Sequence, residues 1–402
     1  MFVYPPICRL IVWDELVAAT AAARHPPSGG VTAMRATIAE LDAQKRMVRQ
    51  ISQLANASNW RGVVALDRAG REVAVALRAH SPKNSACVYN ALGVAYLALG
   101  DAHKAIEYSK LNLAIAKETG DRAMEQTVRG NIGMAYRGLG DHSKEFEYHT
   151  QSLAIAKEIG DRAAEGMAYG NLGNACQSLG DSVKAIEQHT QHLTIAKEMG
   201  HRKGESVAYG NLGIAYDQLG DFSKAIEYHT QCLAMAKEIG DQDGHGTAYT
   251  NLGNAYRSLG DVDKAVHYFT QQLSIAKKLG NRLEEARVYH NLGICHLDLG
   301  DHIKAVAYFE AQDAMAIELK LGHVRAHAAL GMGVALSLQF RAEIQAQLNL
   351  RAQKQQLESS KRELEAQLNE QMRAGQAELD AMVSLQVCMY LCGWARVWVW
   401  VG

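Results

Sequence analysis

Apolar residues recur at helical spacing along the middle of the chain. Between residues 209 and 239 they stand three or four positions apart, at Tyr209, Leu212, Ala215, Tyr216 and Leu219, and then at Phe222, Ala225, Ile226, Leu233 and Ala236. This spacing is typical of a helix with one buried face, and it predicts two such helices in succession. One helical pair cannot cover its own apolar face, so neighbouring pairs are expected to stack on one another.

The tripeptide Leu-Gly-Asp marks a fixed period of 40 residues. It occurs at 99–101, 139–141, 179–181, 219–221, 259–261 and 299–301. A fixed period of this size is typical of an array of one supersecondary unit. In the unit that opens at Asp161, Gly160 is predicted to end one helix and Asp161 to cap the next. The unit then holds helices over about 163–179 and 182–199, and His201 is expected to be a weaker cap.

These residues resemble the tetratricopeptide repeat. The unit from Tyr209 matches the small and apolar positions of that family at Leu212, Gly213, Tyr216 and Ala225. Tyr209 and His229 stand where the family has Trp and Phe, the final Pro is missing, and the unit is six residues longer than the usual repeat. The predicted fold class is all-α: an α-solenoid, a right-handed superhelix of helix pairs, with a long C-terminal helix.

The short sequence motifs that recur in each repeat are similar to those of one group within this family. Asn-Leu-Gly, Leu-Gly-Asp, Ala-Ile-Glu-Tyr-His and Leu-Ala-Ile-Ala-Lys-Glu recur over about 85–330. This combination resembles the tetratricopeptide half of the LGN/Pins family of cell-polarity adaptors and, more distantly, kinesin light chains. The resemblance implies a protein-binding role in polarity or signalling. The G-protein-binding motifs that follow the repeats in LGN/Pins proteins have no counterpart here.

The repeat pattern predicts six segments. We expect a disordered or poorly structured N-terminus at 1–35, a degenerate N-terminal repeat at 36–88 (with helices near 36–58 and 59–80), six full units at 89–328, a degenerate capping repeat at 329–340, a long helix or coiled coil at 341–380, and a hydrophobic tail rich in Trp and Val at 381–402. Atypical end units are expected because each has only one neighbour.

An asparagine precedes the Leu-Gly or Ile-Gly of five copies and is the principal candidate for a binding residue. The five are Asn131, Asn171, Asn211, Asn251 and Asn291. A side-chain amide both donates and accepts, so a row of amides can hold the backbone of an extended partner peptide. The resemblance to long-repeat tetratricopeptide proteins implies such a groove-facing role. The alternative is that each asparagine bonds a neighbouring helix and sets the spacing of the repeats.

Positions further along the same helices differ between copies and are candidates for side-chain selection. They include Asn174, Asn254, Arg137 and Arg257. The two arginines are expected to hold carboxylates of the peptide. Variation on a constant scaffold is what selectivity needs, and it is also what neutral drift on a solvent-facing surface produces.

The chain has no pattern typical of catalysis or metal binding. His149, His189 and His229 share a position with Phe269 and Phe309, which predicts packing. P-loop, GxSxG and HExxH motifs are absent. We therefore predict no enzyme activity, no metal and no cofactor. The seven cysteines lack paired spacing, which fits a reducing compartment, and Cys176 and Cys232 are expected to be buried.

The net charge and the two ends of the chain give little further evidence about function. A net charge of -1 gives no reason to expect nucleic-acid binding. The N-terminus is a poor signal peptide because Pro5-Pro6 and Asp14-Glu15 interrupt it, so a cytoplasmic location is predicted. The tail is either a short membrane anchor, which is disfavoured because Gln386 and Arg396 interrupt it, or the translation of a GT-rich DNA repeat.

The segment 341–380 opens a second functional possibility. Leu350, Leu357 and Leu364 step by seven residues, which favours a coiled coil and a homodimer, whereas the row Leu364, Leu368, Met372 steps by four and leaves a solitary helix possible. The leading hypothesis is a non-enzymatic adaptor that binds an extended peptide of a partner protein. The alternatives are a self-associating scaffold and a regulatory receptor gated by a ligand.

Overall fold

The computed structural model describes the backbone of residues 30–79 and 81–399 and the side chains of residue 40, residues 42–79 and residues 81–387. In these residues there are sixteen helices and no strand. The helices are α1 (Gly30–Asn56), α2 (Trp60–Ala65), α3 (Asp67–Leu77), α4 (Pro82–Ala98), α5 (Ala102–Thr119), α6 (Arg122–Gly138), α7 (His142–Ile159), α8 (Arg162–Ser178), α9 (Ser182–Glu198), α10 (Arg202–Leu219), α11 (Phe222–Ile239), α12 (Gln242–Leu259), α13 (Val262–Leu279), α14 (Arg282–Asp298), α15 (His302–Glu318) and α16 (Gly322–Val399). The predicted all-α class is confirmed.

The helices fall into two compact units, which divide between Val288 and Tyr289. In the first unit each helix from α4 to α12 packs on the next one along the chain. We call α4, α6, α8, α10 and α12 the first helices, and α5, α7, α9, α11 and α13 the second helices. Neighbouring first helices also approach one another, so they share one face of the stack. This is the arrangement of an α-solenoid.

Glycine and aspartate end and begin the helices as the sequence predicts. Gly160 has a φ of 71°, the left-handed conformation that favours glycine, and it ends α7. The carboxylate of Asp161 then accepts a hydrogen bond of 2.9 Å from the amide of Ala164 and caps α8. His201 stands at the same place before α10 and makes no side-chain cap. The expectation of a weaker cap there is confirmed.

One arginine ties the two ends of each helical pair together. Arg162, the first residue of α8, donates to Glu165 at 2.7 Å and also to Glu198 at the end of α9. Arg122 and Arg202 form the corresponding ion pairs in their own helical pairs. Since these arginines and the terminal glutamates are about half exposed, each pair contributes little by itself, and its main effect is to hold the helix ends in register.

A ring from the second helix lies directly on a glycine of the first helix. A Cβ atom at Gly173 would collide with Cε1 of His189. The same contact recurs at three other first-helix glycines: Gly133 with His149, Gly213 with His229 and Gly253 with Phe269. All four rings are fully buried. The recurrent histidines therefore have the packing role that their exchange with phenylalanine predicts.

The three histidine rings differ in their polar surroundings. Neither ring nitrogen of His149 has a hydrogen-bond partner among the described residues, whereas Nε2 of His189 lies 3.3 Å from Oε1 of Gln177. Nε2 of His229 lies 3.0 Å from the carboxylate of Asp217. Burial lowers the pKa of His149 from its ordinary value of 6.5 to about 3, and the charge of Arg137 acts in the same direction. Burial also lowers the pKa of His189, to about 4.

The N-terminal end of the repeats differs from the prediction in one respect. Helix α1 supplies the expected additional first helix, but the predicted second helix over 59–80 is broken at Leu66 into α2 and α3. The break sets Asp67 at the start of α3, where its carboxylate accepts hydrogen bonds from the hydroxyl groups of Tyr96, at 2.7 Å, and Tyr108. Most of the expected disordered segment 1–35 lies outside the described residues.

In the second unit, α16 is one helix across the segments that the sequence pattern separates at 340 and 380. Its beginning packs on α15, with Gly331 against Phe309 and with Ala328 and Ala335 fully buried. From Arg341 to Val387 every side chain is exposed. None of the helices in the described part of the chain is both long and apolar enough to span a membrane. The last residues of the expected tail, 400–402, are outside the described range.

Two glycines of α6 provide a matched test of the ring contact. Gly133→Ala places a methyl group 2.7 Å from Cε1 of His149, and we expect it to destabilise the α6–α7 pair by about 1–3 kcal/mol. Gly130→Ala meets nothing closer than the hydroxyl of Ser152 at 3.7 Å, so it should stabilise α6 by up to about 1 kcal/mol. Hydrogen exchange of the α6 amides measures both changes. Equal effects would contradict the proposed close contact.

The buried His149 should make stability depend on pH. Its folded-state pKa is lowered, so its contribution is fully present above about pH 6.5 and is lost as the pH falls toward the folded value of about 3. Between pH 8 and pH 5 this loss is about 2 kcal/mol. We expect His149→Phe to reduce the acid loss of stability by that amount, and the reciprocal Phe269→His to increase it. Urea denaturation at both pH values measures the difference, and an unchanged pH dependence in both variants would contradict the assignment.

Candidate functional site

The asparagines of the sequence prediction lie at equivalent places on the first helices. Asn131, Asn171, Asn211 and Asn251 belong to α6, α8, α10 and α12, and each is half-buried. Each precedes a buried aliphatic residue and the glycine that packs on the ring of the second helix. Asn291 is also half-buried and lies on α14, in the second unit. In the first unit the four asparagines therefore occupy the face that the first helices share.

Two of these asparagines already bond across neighbouring first helices. Nδ2 of Asn131 donates to Oδ1 of Asn90 on α4 at 3.3 Å. Oδ1 of Asn171 accepts from Nη2 of Arg137 on α6 at 3.4 Å. Both contacts are of the kind that the structural alternative predicts, in which the asparagine sets the spacing of adjacent repeats.

Asn211 and Asn251 differ from the other two in the first unit. Their side chains make no hydrogen bond with any of the residues that the structure describes, although the backbone carbonyl of Asn211 accepts a bond of 3.4 Å from Gln177. A half-buried amide without a protein partner keeps two donors and one acceptor for another molecule. The arrangement at α10 and α12 is therefore the better suited to bind a polar ligand.

A polar cleft adjoins Asn251. Its volume is about 290 Å³ and it lies between α12, α13 and the start of α14. The polar residues that line it include Asp243, Thr247, Thr250, Asn251, Gln272, Asn281, Glu284 and Arg287. Gln272 is 97% buried: its Nε2 donates to Glu284 at 3.1 Å, while its Oε1 has no partner among the described residues. A buried acceptor of this kind favours a ligand group that donates a hydrogen bond.

Of the residues that line this cleft, the sequence pattern indicates Asn251 but not Gln272. Gln272 belongs to a second helix, whereas the predicted selectivity positions all lie on first helices. A signal was present, because the residue at this place changes in every complete copy up to Gln272: the copies have Asn112, Ser152, His192, Cys232 and Gln272. Only the packing of α12 on α13 shows that this place opens beside Asn251.

The remaining predicted site residues are placed less favourably. Nε of Arg137 lies 2.5 Å from Oε1 of the fully buried Glu145, so its charge is already compensated within the protein. Asn174 is half-buried on α8, and Asn254 and Arg257 are exposed on α12. The structure thus brings Asn251, Asn254 and Arg257 onto one helix and leaves Arg137 in an internal ion pair.

The cysteines and histidines form no metal centre in the part of the chain that the structure describes, where no group of three or more His, Cys, Asp or Glu side chains is arranged to hold an ion. Cys176 and Cys232 are buried and carry free thiols, as the sequence predicts, and burial raises the pKa of both. Nδ1 of His142 lies 2.9 Å from Glu145, in the same internal cluster as Arg137.

Comparison with solved structures gives the same architecture in proteins of low sequence identity. Aspartyl phosphate phosphatase F from Bacillus subtilis is 14% identical with a TM-score of 0.54, and the match covers 75% of this chain and 82% of that one. A signal transduction ATPase with a tetratricopeptide repeat sensor from Pyrococcus horikoshii is 16% identical with a TM-score of 0.51, over 75% of this chain and 49% of that one. BtubC from P. vanneervenii is 21% identical with a TM-score of 0.50, over 55% and 91%. At such identities the likeness extends to the fold alone.

Comparison by sequence identifies the family. No curated protein matches the chain. The family described as tetratricopeptide repeat matches residues 84–158, 130–198, 165–238 and 245–311. These matches together cover more than half of the 402 residues and include most of every first helix from α4 to α12, so the chain belongs to the tetratricopeptide repeat family.

Proposed function

We propose that this protein is a non-enzymatic interaction scaffold whose first helices hold an extended segment of a partner protein. The observation that carries the proposal is the pair of half-buried amides at Asn211 and Asn251, which have no side-chain partner among the described residues and lie at equivalent places on neighbouring first helices. Membership of the tetratricopeptide repeat family and the polar cleft beside Asn251 support it.

The spacing of the first helices suits an extended chain. Packed helices lie about 8–10 Å apart, and an extended chain advances about 3.3 Å per residue. Successive asparagines would therefore meet about every third residue of the peptide. Each amide can accept from a peptide N–H and donate to a peptide carbonyl, contacts that do not depend on the peptide side chains. The amides thus supply affinity for backbone in general.

Selection among peptides is assigned to the cleft. A side chain that enters beside Asn251 meets the unpaired acceptor of Gln272 and the opposite charges of Glu284 and Arg287, whose closest atoms are 3.4 Å apart. We infer a preference for a side chain that donates a hydrogen bond, such as an amide or a hydroxyl. Work in cell polarity or signalling, and a cytoplasmic location, rest on the sequence patterns and on the resemblance to the LGN/Pins family.

Two matched double variants test the proposed surface. Asn211→Ala with Asn251→Ala removes the two amides. Gln231→Ala with Gln271→Ala removes two amides 20 residues further on, on the second helices α11 and α13. We expect partners captured by the parent protein to be retained by the glutamine variant and lost by the asparagine variant. Against a synthetic peptide of the captured partner, calorimetry should show affinity weakened at least about tenfold, since each net hydrogen bond contributes about 1 kcal/mol.

Circular dichroism and thermal unfolding provide the control for folding in both variants. An asparagine variant that is folded and binds the peptide as tightly as the parent would show that the first-helix face is not the binding surface. Equal weakening in both variants would show that the loss arises from the fold and not from the amides.

A further inference from the structure

The exposed part of α16 has an apolar stripe, which Lys354 and Lys361 interrupt. A helix advances about 100° per residue, so seven apolar side chains fall within a sector of about 80° along one side. They are Leu350, Leu357, Leu364, Leu368, Met372, Leu379 and Met382, and they are between 57% and 74% exposed. The two rows that the sequence analysis treated as alternatives, one stepping by seven residues and one by four, therefore lie on one face.

This stripe has no cover within the part of the chain that the structure describes. From Arg341 to Val387 every side chain is exposed, and α15 packs only on the beginning of α16. A single amphipathic helix gains most of its stability from packing of its apolar face. A row of exposed apolar side chains of this length is typical of an interface with another molecule.

The charges along α16 are divided into two halves of opposite sign. Residues 341–362 carry five basic and two acidic side chains: Arg341, Arg351, Lys354, Lys361 and Arg362, with Glu343 and Glu358. Residues 363–387 carry five acidic side chains and one basic: Glu363, Glu365, Glu370, Glu378 and Asp380, with Arg373. Within about 100° of the middle of the stripe, the first half carries Arg351, Lys354 and Lys361 with Glu343 and Glu358, and the second half carries Glu365 and Glu378. A partner that covers the stripe thus meets a net positive half and a net negative half.

A second copy of the same helix can cover the stripe with opposite charges beside each half in one orientation only, the antiparallel one. In a parallel pair each half faces its own like charge, and Lys354 and Lys361, which lie in the sector of the stripe, face the same lysines of the other copy. In an antiparallel pair each positive half faces a negative half, twice in the dimer, and the stripes still meet. Complementary charges of this kind decide orientation and partner choice in helical pairs.

We propose that residues 341–387 pair with the same segment of a second copy in antiparallel orientation. This interface is separate from the peptide-binding face of the first helices and does not depend on it. Its consequence is a dimer with two copies of that face, in which a partner with two binding segments gains affinity through the effective concentration of the second site.

Mass in solution and zero-length cross-linking of the full chain test the proposal. We expect a dimer by light scattering, and carbodiimide links between Lys354 of one copy and Glu378 of the other, because residue 354 faces residue 374 in this antiparallel pairing. Within one straight helix Lys354 and Glu378 are about 36 Å apart along the axis, beyond the reach of a direct amide link. A mixture of isotopically light and heavy chains identifies the links between copies. The link from Lys361 to Glu365, whose charged atoms are 3.7 Å apart, serves as the internal control.

Charge exchange provides the matched variants. Arg351→Glu with Lys354→Glu and Lys361→Glu makes both halves negative, and we expect the dimer dissociation constant to rise at least about tenfold. Adding Glu365→Lys, Glu378→Lys and Asp380→Lys exchanges the two signs and should restore the dimer. A parallel dimer would be little changed by the first variant, because like charges already face each other in it. Circular dichroism confirms that α16 stays helical in both.

Three outcomes would overturn the inference. The full chain could remain a monomer at the highest concentration that stays in solution. A dimer could form without links from Lys354 to the second half of the other copy. The charge-exchanged chain could fail to regain the dimer that the first variant loses, while both remain folded.

Discussion

The contact between a glycine of the first helix and a ring of the second is the interaction on which the first unit depends. At Gly133, Gly173, Gly213 and Gly253 the ring lies so close that a single methyl group has no room. At each of these glycines the two helices therefore approach as closely as their backbones and the ring allow. Ion pairs and caps at the helix ends keep the register, but they are exposed and could not set this distance alone.

The same contact decides which positions remain for function. The aliphatic residue and the glycine that follow each asparagine are buried in the contact between the two helices, as Leu212 and Gly213 show, and cannot contact a ligand. The asparagine itself is left half-buried on the shared face of the first helices. Repeats with nearly the same sequence then differ in how that amide is used: in α6 and α8 it bonds a neighbouring helix, and in α10 and α12 it does not. Under the proposed function, the amides available to a partner thus belong to the later part of a regular scaffold, α10 and α12.

Much of this architecture could be predicted from the sequence because its determinants are local. A glycine and an aspartate in succession place the ends of α8 within one residue of the prediction. No glycine or proline at Leu66 predicts the break there. Tyr96 and Tyr108, whose hydroxyl groups bond Asp67 beside the break, are far away in the sequence. The pairing of Arg137 with Glu145 crosses a turn, and the cleft at Gln272 exists only once α12 and α13 have packed. The continuity of α16 was missed because the repeat pattern stops at 340 while helix-forming residues continue.

The three histidine wedges of the first unit have unequal strength. Nε2 of His229 lies against a carboxylate, Nε2 of His189 lies against an amide, and neither ring nitrogen of His149 has a partner among the described residues. Burial lowers the pKa of both His149 and His189, so protonation in acid weakens the α6–α7 and α8–α9 pairs. Phe269, at the same place in α13, takes up no proton, so the α12–α13 pair lacks this source of acid sensitivity. The response of the repeats to acid therefore varies with the ring that each one carries.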